Sequence, residues 1–205
     1  MLLVLLSLLF RTPPPATSAG PVPLKATDET AIYGLVLGTV PARKPVLLAE
    51  TNTSLDAIGP TQAEQRRFLS DDLGAAGSLV SRFLSQLSTQ RSVSSVLPSG
   101  VQSLPKGALV LPAQWNEAFW TQFSLQHPAH CCIQRLFPIA FSSSGQNALT
   151  CLSVDYPTGH DVSCLLLRKS KNEWIVVNTA RGGIVAHSLT PACSGLAALA
   201  ADARR

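Results

Sequence analysis

The last third of the chain constrains the fold most. Four short runs rich in β-forming residues, 136–141, 148–154, 162–168 and 174–179, are divided by Ser142-Ser143-Ser144-Gly145, by Tyr156-Pro157-Thr158-Gly159 and by Ser170-Lys171-Asn172. Runs of this length, split by residues that tolerate tight turns, predict strands joined in hairpins. Four strands with short links predict an antiparallel meander. After Gly182-Gly183, residues 184–186 can add a short extra strand.

Upstream the period changes. A helix is expected to open at Thr27 or Asp28, whose side chains can accept from the first-turn N–H groups, with Glu29 at the positive end of the dipole. Ile32, Leu35 and Val36 form its apolar face, and Gly38 is a natural stop. Residues 45–51 read as a strand and 63–69 as a short helical piece. From 78 to 87, Leu79, Val80, Phe83, Leu84 and Leu87 form one stripe at helical spacing. The Ser-rich stretch 88–107 is a long surface connection. A short strand is expected at 108–111, then a helix opening at Pro112. That helix carries Trp115, Phe119, Trp120 and Phe123 on one face, and four rings of about 150–250 Å² each make it the expected anchor of the core. The predicted class is α+β: N-terminal helices on one face of a C-terminal antiparallel meander, over 27–187.

The N-terminal run Leu2 to Phe10 is nine residues of almost unbroken hydrocarbon. A membrane span needs roughly 20 residues, whereas a signal-peptide core is this short. Residues 1–19 therefore read as a signal peptide, 20–26 as a linker, and 188–205 as a flexible or weakly helical tail. No later stretch predicts a membrane span. Export, periplasmic or secreted, would place Cys131, Cys132, Cys151, Cys164 and Cys193 in an oxidising compartment where disulfides persist. If the second hairpin is centred between Pro157 and Thr158, Cys151 lies opposite Cys164. Either a cross-strand bridge or two buried thiols fits that spacing.

The order Trp120-x-x-Phe123, His127-Pro128, Phe141, Gln146-x-Ala148-Leu149, Gly159, Leu165-Leu166-Leu167-x-Lys169 and Glu173-Trp174-x-Val176 resembles a group of uncharacterised exported bacterial proteins. Ile32-Tyr33-x-x-Val36, Val46-Leu47-Leu48 and Thr51 or Thr53 are similar to that group's opening block. The likeness is loose over 30–180 and best over 119–178. The chain departs from the group at His127, where a Tyr is usual, at Cys131-Cys132, at Phe137-Pro138 and at Asp155-Tyr156. The closing hairpin is also similar to that of NTF2-like domains, which implies a curved sheet enclosing a pocket. The group carries no assigned activity, so the resemblance supplies a fold and no catalytic residues.

Charged residues make up 14% of the chain and the net charge is +4, from 16 basic and 12 acidic side chains. Basic clusters are short and lack interleaved aromatics, which argues against a nucleic-acid groove. The densest polar cluster is His127, His130, Cys131 and Cys132. It offers zinc or copper ligands, with His127, His130 and Cys132 as one set, or a thiolate–imidazole pair for a small hydrolase. Neighbouring Cys131 and Cys132 point to opposite sides of an extended chain, so a structural loop is the simpler reading. His160-Asp161, Asp71-Asp72 and His187 read as ordinary polar positions, and Asn52-Thr53-Ser54 matches the glycosylation pattern. The expectation is an exported, non-catalytic α+β module that binds a small apolar ligand or a protein, without a cofactor.

Overall fold

The computed structural model describes residues 26–38, 45–105, 107–109, 111, 116–130, 132–157 and 159–184. The expected signal peptide, most of the expected linker, the expected tail, Cys131, Cys193, His187, Trp115, Pro112 and residues 185–186 lie outside them. The class is α+β. In chain order the elements are α1 (Ala26–Gly38), β1 (Val46–Leu48), α2 (Gln62–Arg67), a π-helical turn (Phe68–Asp72), α3 (Gly77–Gln86), β2 (Ser103–Leu104), α4 (Glu117–Gln126), β3 (Ile133–Leu136), β4 (Ala140–Phe141), β5 (Asn147–Tyr156), β6 (Gly159–Ser170) and β7 (Glu173–Ile184).

The strands form one mixed sheet ordered β2-β1-β3-β5-β6-β7, with β4 paired to β5. Antiparallel pairing joins β3 to β5, β5 to β6 and β6 to β7. Two short strands extend it in parallel: Val46 pairs with Ile133, and Leu48 with Leu104. The sheet is therefore not purely antiparallel. Tyr156 stands opposite Gly159, which sets Cys151 opposite Cys164. At the next turn Lys171 and Asn172 have φ of 49° and 71°, the left-handed pair that a two-residue hairpin loop requires. A bulge sets Leu166 opposite Asn178 but Leu167 opposite Val176. No break follows Gly182: β7 runs through both glycines to Ile184, and the rest of the expected extra strand, 185–186, lies outside the described residues. Gly183 has φ +133°, and a Cβ there would lie 2.7 Å from the His160 carbonyl oxygen, so only glycine keeps this pairing unstrained.

β5 is buried along Ala148 to Asp155, on both sides of the sheet. Its Ala148, Leu152 and Val154 pack with Ile32, Tyr33 and Val36 of α1. Its Leu149 and Cys151 pack with Leu79, Val80, Phe83 and Leu84 of α3. Helices thus cover opposite faces, where the sequence predicts one. On α1 the inward stripe is Ile32, Tyr33 and Val36, while Leu35 is 36% exposed, because Tyr33 occupies the turn position facing the sheet.

The aromatic helix differs most from expectation. It opens at Asn116, whose Oδ1 accepts from the Phe119 N–H at 2.9 Å, not at Pro112. Among the described residues only Trp120 and Phe123 of its rings are buried, and they pack with Val46 and Ile133 in a third, smaller cluster. The helix closes the β1–β3 end of the sheet instead of lying across β5–β7. Ala108 and Leu109 bend instead of forming a strand. Besides β3, β1 pairs with Ser103–Leu104, and Pro105, lacking an N–H, follows it. Thr61 caps α2 through a capping box with Glu64.

Candidate functional site

The His127–Cys132 segment leaves the C-terminal end of α4. The His127 N–H donates to the Phe123 carbonyl at 2.8 Å, and its ring packs on the Phe123 ring with centroids 5.0 Å apart. The His130 ring lies edge-on to that of His127, with centroids 6.1 Å apart. Cys132 is buried in the α1-side core, where burial and then the Asp155 charge push its thiol up to about 12. A nucleophilic or metal-binding cysteine needs the opposite shift, toward thiolate. Among the described residues no group of three or more His, Cys, Asp or Glu side chains is placed to hold a metal ion.

Cys151 and Cys164 form a disulfide between β5 and β6, their Cα atoms 4.0 Å apart. The bridge sits inside the α3-side core. Asn52, the acceptor position of Asn52-Thr53-Ser54, is 6% exposed, and its Nδ2 donates to Ser153 Oγ at 3.1 Å. Its side-chain amide is therefore committed inside the fold.

A polar assembly that sequence reading missed lies at the β3–β5 end of the sheet. Arg135 of β3 donates through Nε to Asp155 Oδ2 at 3.2 Å, and its Nη2 is 3.1 Å from the same oxygen. Asp155 is 3% exposed. Burial raises its carboxyl above the ordinary aspartate value, and the charges of Arg135 and His160 pull it partly back. His160 stands directly opposite Asp155 on β6, while its neighbour Asp161 pairs with Gly183 across β7, so the two do not act as one pair. Burial likewise raises the Asp161 carboxyl, against the pull of Arg181.

Arg135 also faces a cleft of about 130 Å³ between the end of β1 and the 104–111 segment. Thr51, Asn52, Thr53 and Arg135 give it a polar wall, and Leu48 and Leu109 an apolar one. Beside it, Leu109 and the α4 rings Phe119 and Phe123 line a second depression of about 200 Å³. The signal for this site was present in the sequence as charged residues, Arg135 and Asp155, set within apolar strands. Nothing local reveals that the two strands pair.

Among the described residues no helix is long and apolar enough to cross a membrane. Comparison with family models, with curated proteins and with solved structures gave no match to this chain.

Proposed function

We propose that this is an exported bacterial protein, periplasmic or secreted, acting as a non-catalytic binding module that takes a small ligand in the cleft beside β1. It belongs on this reading with the exported group it resembles, and its sheet curves in the NTF2-like manner, helped by the bulge in β7. The cleft carries the proposal: an arginine held in place by a buried carboxylate faces a hollow with one polar wall, of Thr51, Asn52 and Thr53, and one of leucines. Ligand sites combine apolar walls with a few fixed polar groups in this way. The Cys151–Cys164 bridge supports the address, since such bonds persist in oxidising compartments.

The test is a fragment titration followed by amide-resolved NMR on protein recovered from the periplasm or medium. Small molecules that shift the Thr51, Thr53, Leu109 and Arg135 signals together support the reading. A library that leaves those signals still, or a protein retained in the cytoplasm with its leader, overturns it.

A further inference from the structure

We infer that two copies of this chain pair edge to edge through β7, antiparallel across a two-fold axis at Ile175, as a closed dimer with one continuous sheet. The two borders of the sheet differ. β2 forms one of them with two residues and runs into Pro105, a short edge blocked by proline. β7 forms the other with twelve residues, and among the described residues no strand pairs with its outer side. Ile175, Val176 and Val177 are 47%, 41% and 44% exposed there, and no charged residue falls between Trp174 and Ala180. Unpaired backbone flanked by apolar side chains is a template for another strand.

The backbone fixes the register. The Lys169 N–H donates to the Gln146 carbonyl, on the β5 side, so Arg168 and Ser170 turn theirs to β7. Their partners Ile175 and Glu173 face β6 in return, which leaves the N–H and C=O of Trp174 and Val176 pointing outward. The bulge at Val177 closes the open stretch, and beyond it Asn178 Oδ1 takes the Thr179 N–H at 2.9 Å. Setting Trp174 of each copy opposite Val176 of the other pairs all of these outward groups. It also places the two Ile175 side chains against each other. Trp174 and Leu167, the residue opposite Val176, both belong to the α1-side core. Val176 of the second copy therefore comes down beside Trp174 and the exposed Leu35, which line a shallow hollow between α1 and the hairpin.

Charge agrees with this register. Glu173 falls opposite Val177, and the Lys171 turn of each copy reaches the Asn178 end of the other. There Asn178 Nδ2 donates to the Leu73 carbonyl at 3.0 Å, and Asp71 and Asp72 immediately precede Leu73. Lys171, Asp71 and Asp72 are exposed and form no ion pair among the described residues, so the dimer gives each lysine two carboxylates to face. Arg168 stands one strand back from the axis, opposite Ile175, and Lys169 stays with Asp28. Arg181 lies past the second copy's turn, where it acts on Asp161 of its own β6. Because β2 offers no comparable edge, association stops at two copies.

The experiment is sedimentation equilibrium of the oxidised protein over a dilution series, on wild type, Ile175→Lys and Lys171→Glu. Amide hydrogen exchange of the wild type is read at both ends of the series. Ile175 is exposed, so lysine there leaves the core intact while setting two like charges at the axis. The expected result is a monomer–dimer equilibrium at micromolar protein, weakened at least about tenfold by either substitution. The Trp174 and Val176 amides should be protected in the dimer only. A monomer throughout overturns the inference, whether the edge is then open or covered by residues 185–205. So does a dimer that leaves those two amides unprotected, a dimer indifferent to Ile175→Lys, or growth beyond two copies. Indifference to Lys171→Glu overturns the register, and the inference with it. The exchange measurement needs no variant, so it decides even where a substitution impairs folding.

Discussion

Lys169 on β6 places its Nζ 2.7 Å and 2.9 Å from the two carboxylate oxygens of Asp28, in the first turn of α1. The Trp174 indole N–H donates to the same carboxylate at 3.1 Å, and Lys169 lies 5.7 Å from the centre of that ring. One acidic side chain thus ties the start of a helix to two neighbouring strands. Hydrogen bonds to a charged group are worth about 1.5–3 kcal/mol. Asp28→Ala is expected to destabilise the protein by about 2 kcal/mol, measured by urea unfolding, with hydrogen exchange rising first in α1. An α1 that keeps its protection would refute the tie.

The Cys151–Cys164 bridge closes a loop with a sequence separation of 13. Loop-closure entropy for a ring of that size is about 3 kcal/mol. The double substitution to alanine should lower stability by about that amount, less whatever the unfolded state retains. Intact mass with and without reductant under denaturing conditions checks that the bond is present.

The Phe137 carbonyl accepts twice, from Tyr33 O–H at 3.1 Å and from Thr150 Oγ1 at 3.2 Å. Tyr33→Phe or Thr150→Val alone leaves the oxygen one partner and should cost roughly 1 kcal/mol. Removing both leaves a buried acceptor empty, so the double variant should lose more than the two single losses combined. Simple additivity in a double-mutant cycle would contradict the shared acceptor.

Asp155 sets a sign for pH dependence. Its folded-state carboxyl is raised above the ordinary 3.8 by burial, so the folded protein holds that proton more tightly than the unfolded chain does. The resulting stability is present below 3.8 and is lost as pH rises through the folded value. Asp155→Asn cannot ionise. It leaves Arg135 without its carboxylate at every pH, so the advantage of wild type over this variant should shrink as pH climbs above 3.8. Urea unfolding of both proteins from pH 3 to roughly 7 reads the difference. An advantage that grows with pH would mean that Arg135 outweighs burial.

The hairpins were legible because their information is local. Turn residues fix the register of β5 on β6, and Cys151 follows opposite Cys164 by counting. The stripe from Leu79 to Leu84 likewise marks α3. β1 and β2 were harder, since strands of three and two residues carry little pattern and owe their existence to β3 and to each other. The second helical face was readable in principle. Leu149 to Val154 is apolar or small on both alternations, the mark of a strand covered on each side. The aromatic helix misled because four rings suggest a central core, whereas α4 spends Trp120 and Phe123 on the end of the sheet. Arg135 and Asp155 stayed hidden because their meeting depends on strand pairing, which neither neighbourhood encodes.

The bond from Tyr33 to the Phe137 carbonyl spans 104 residues. At a synthesis rate of about 5–20 residues per second, α1 waits roughly 5–20 s on the ribosome for the strands that will cover it. Until then Ile32, Tyr33 and Val36 lack most of the residues that bury them. The α1-side core therefore cannot close until the carboxyl-terminal strands exist.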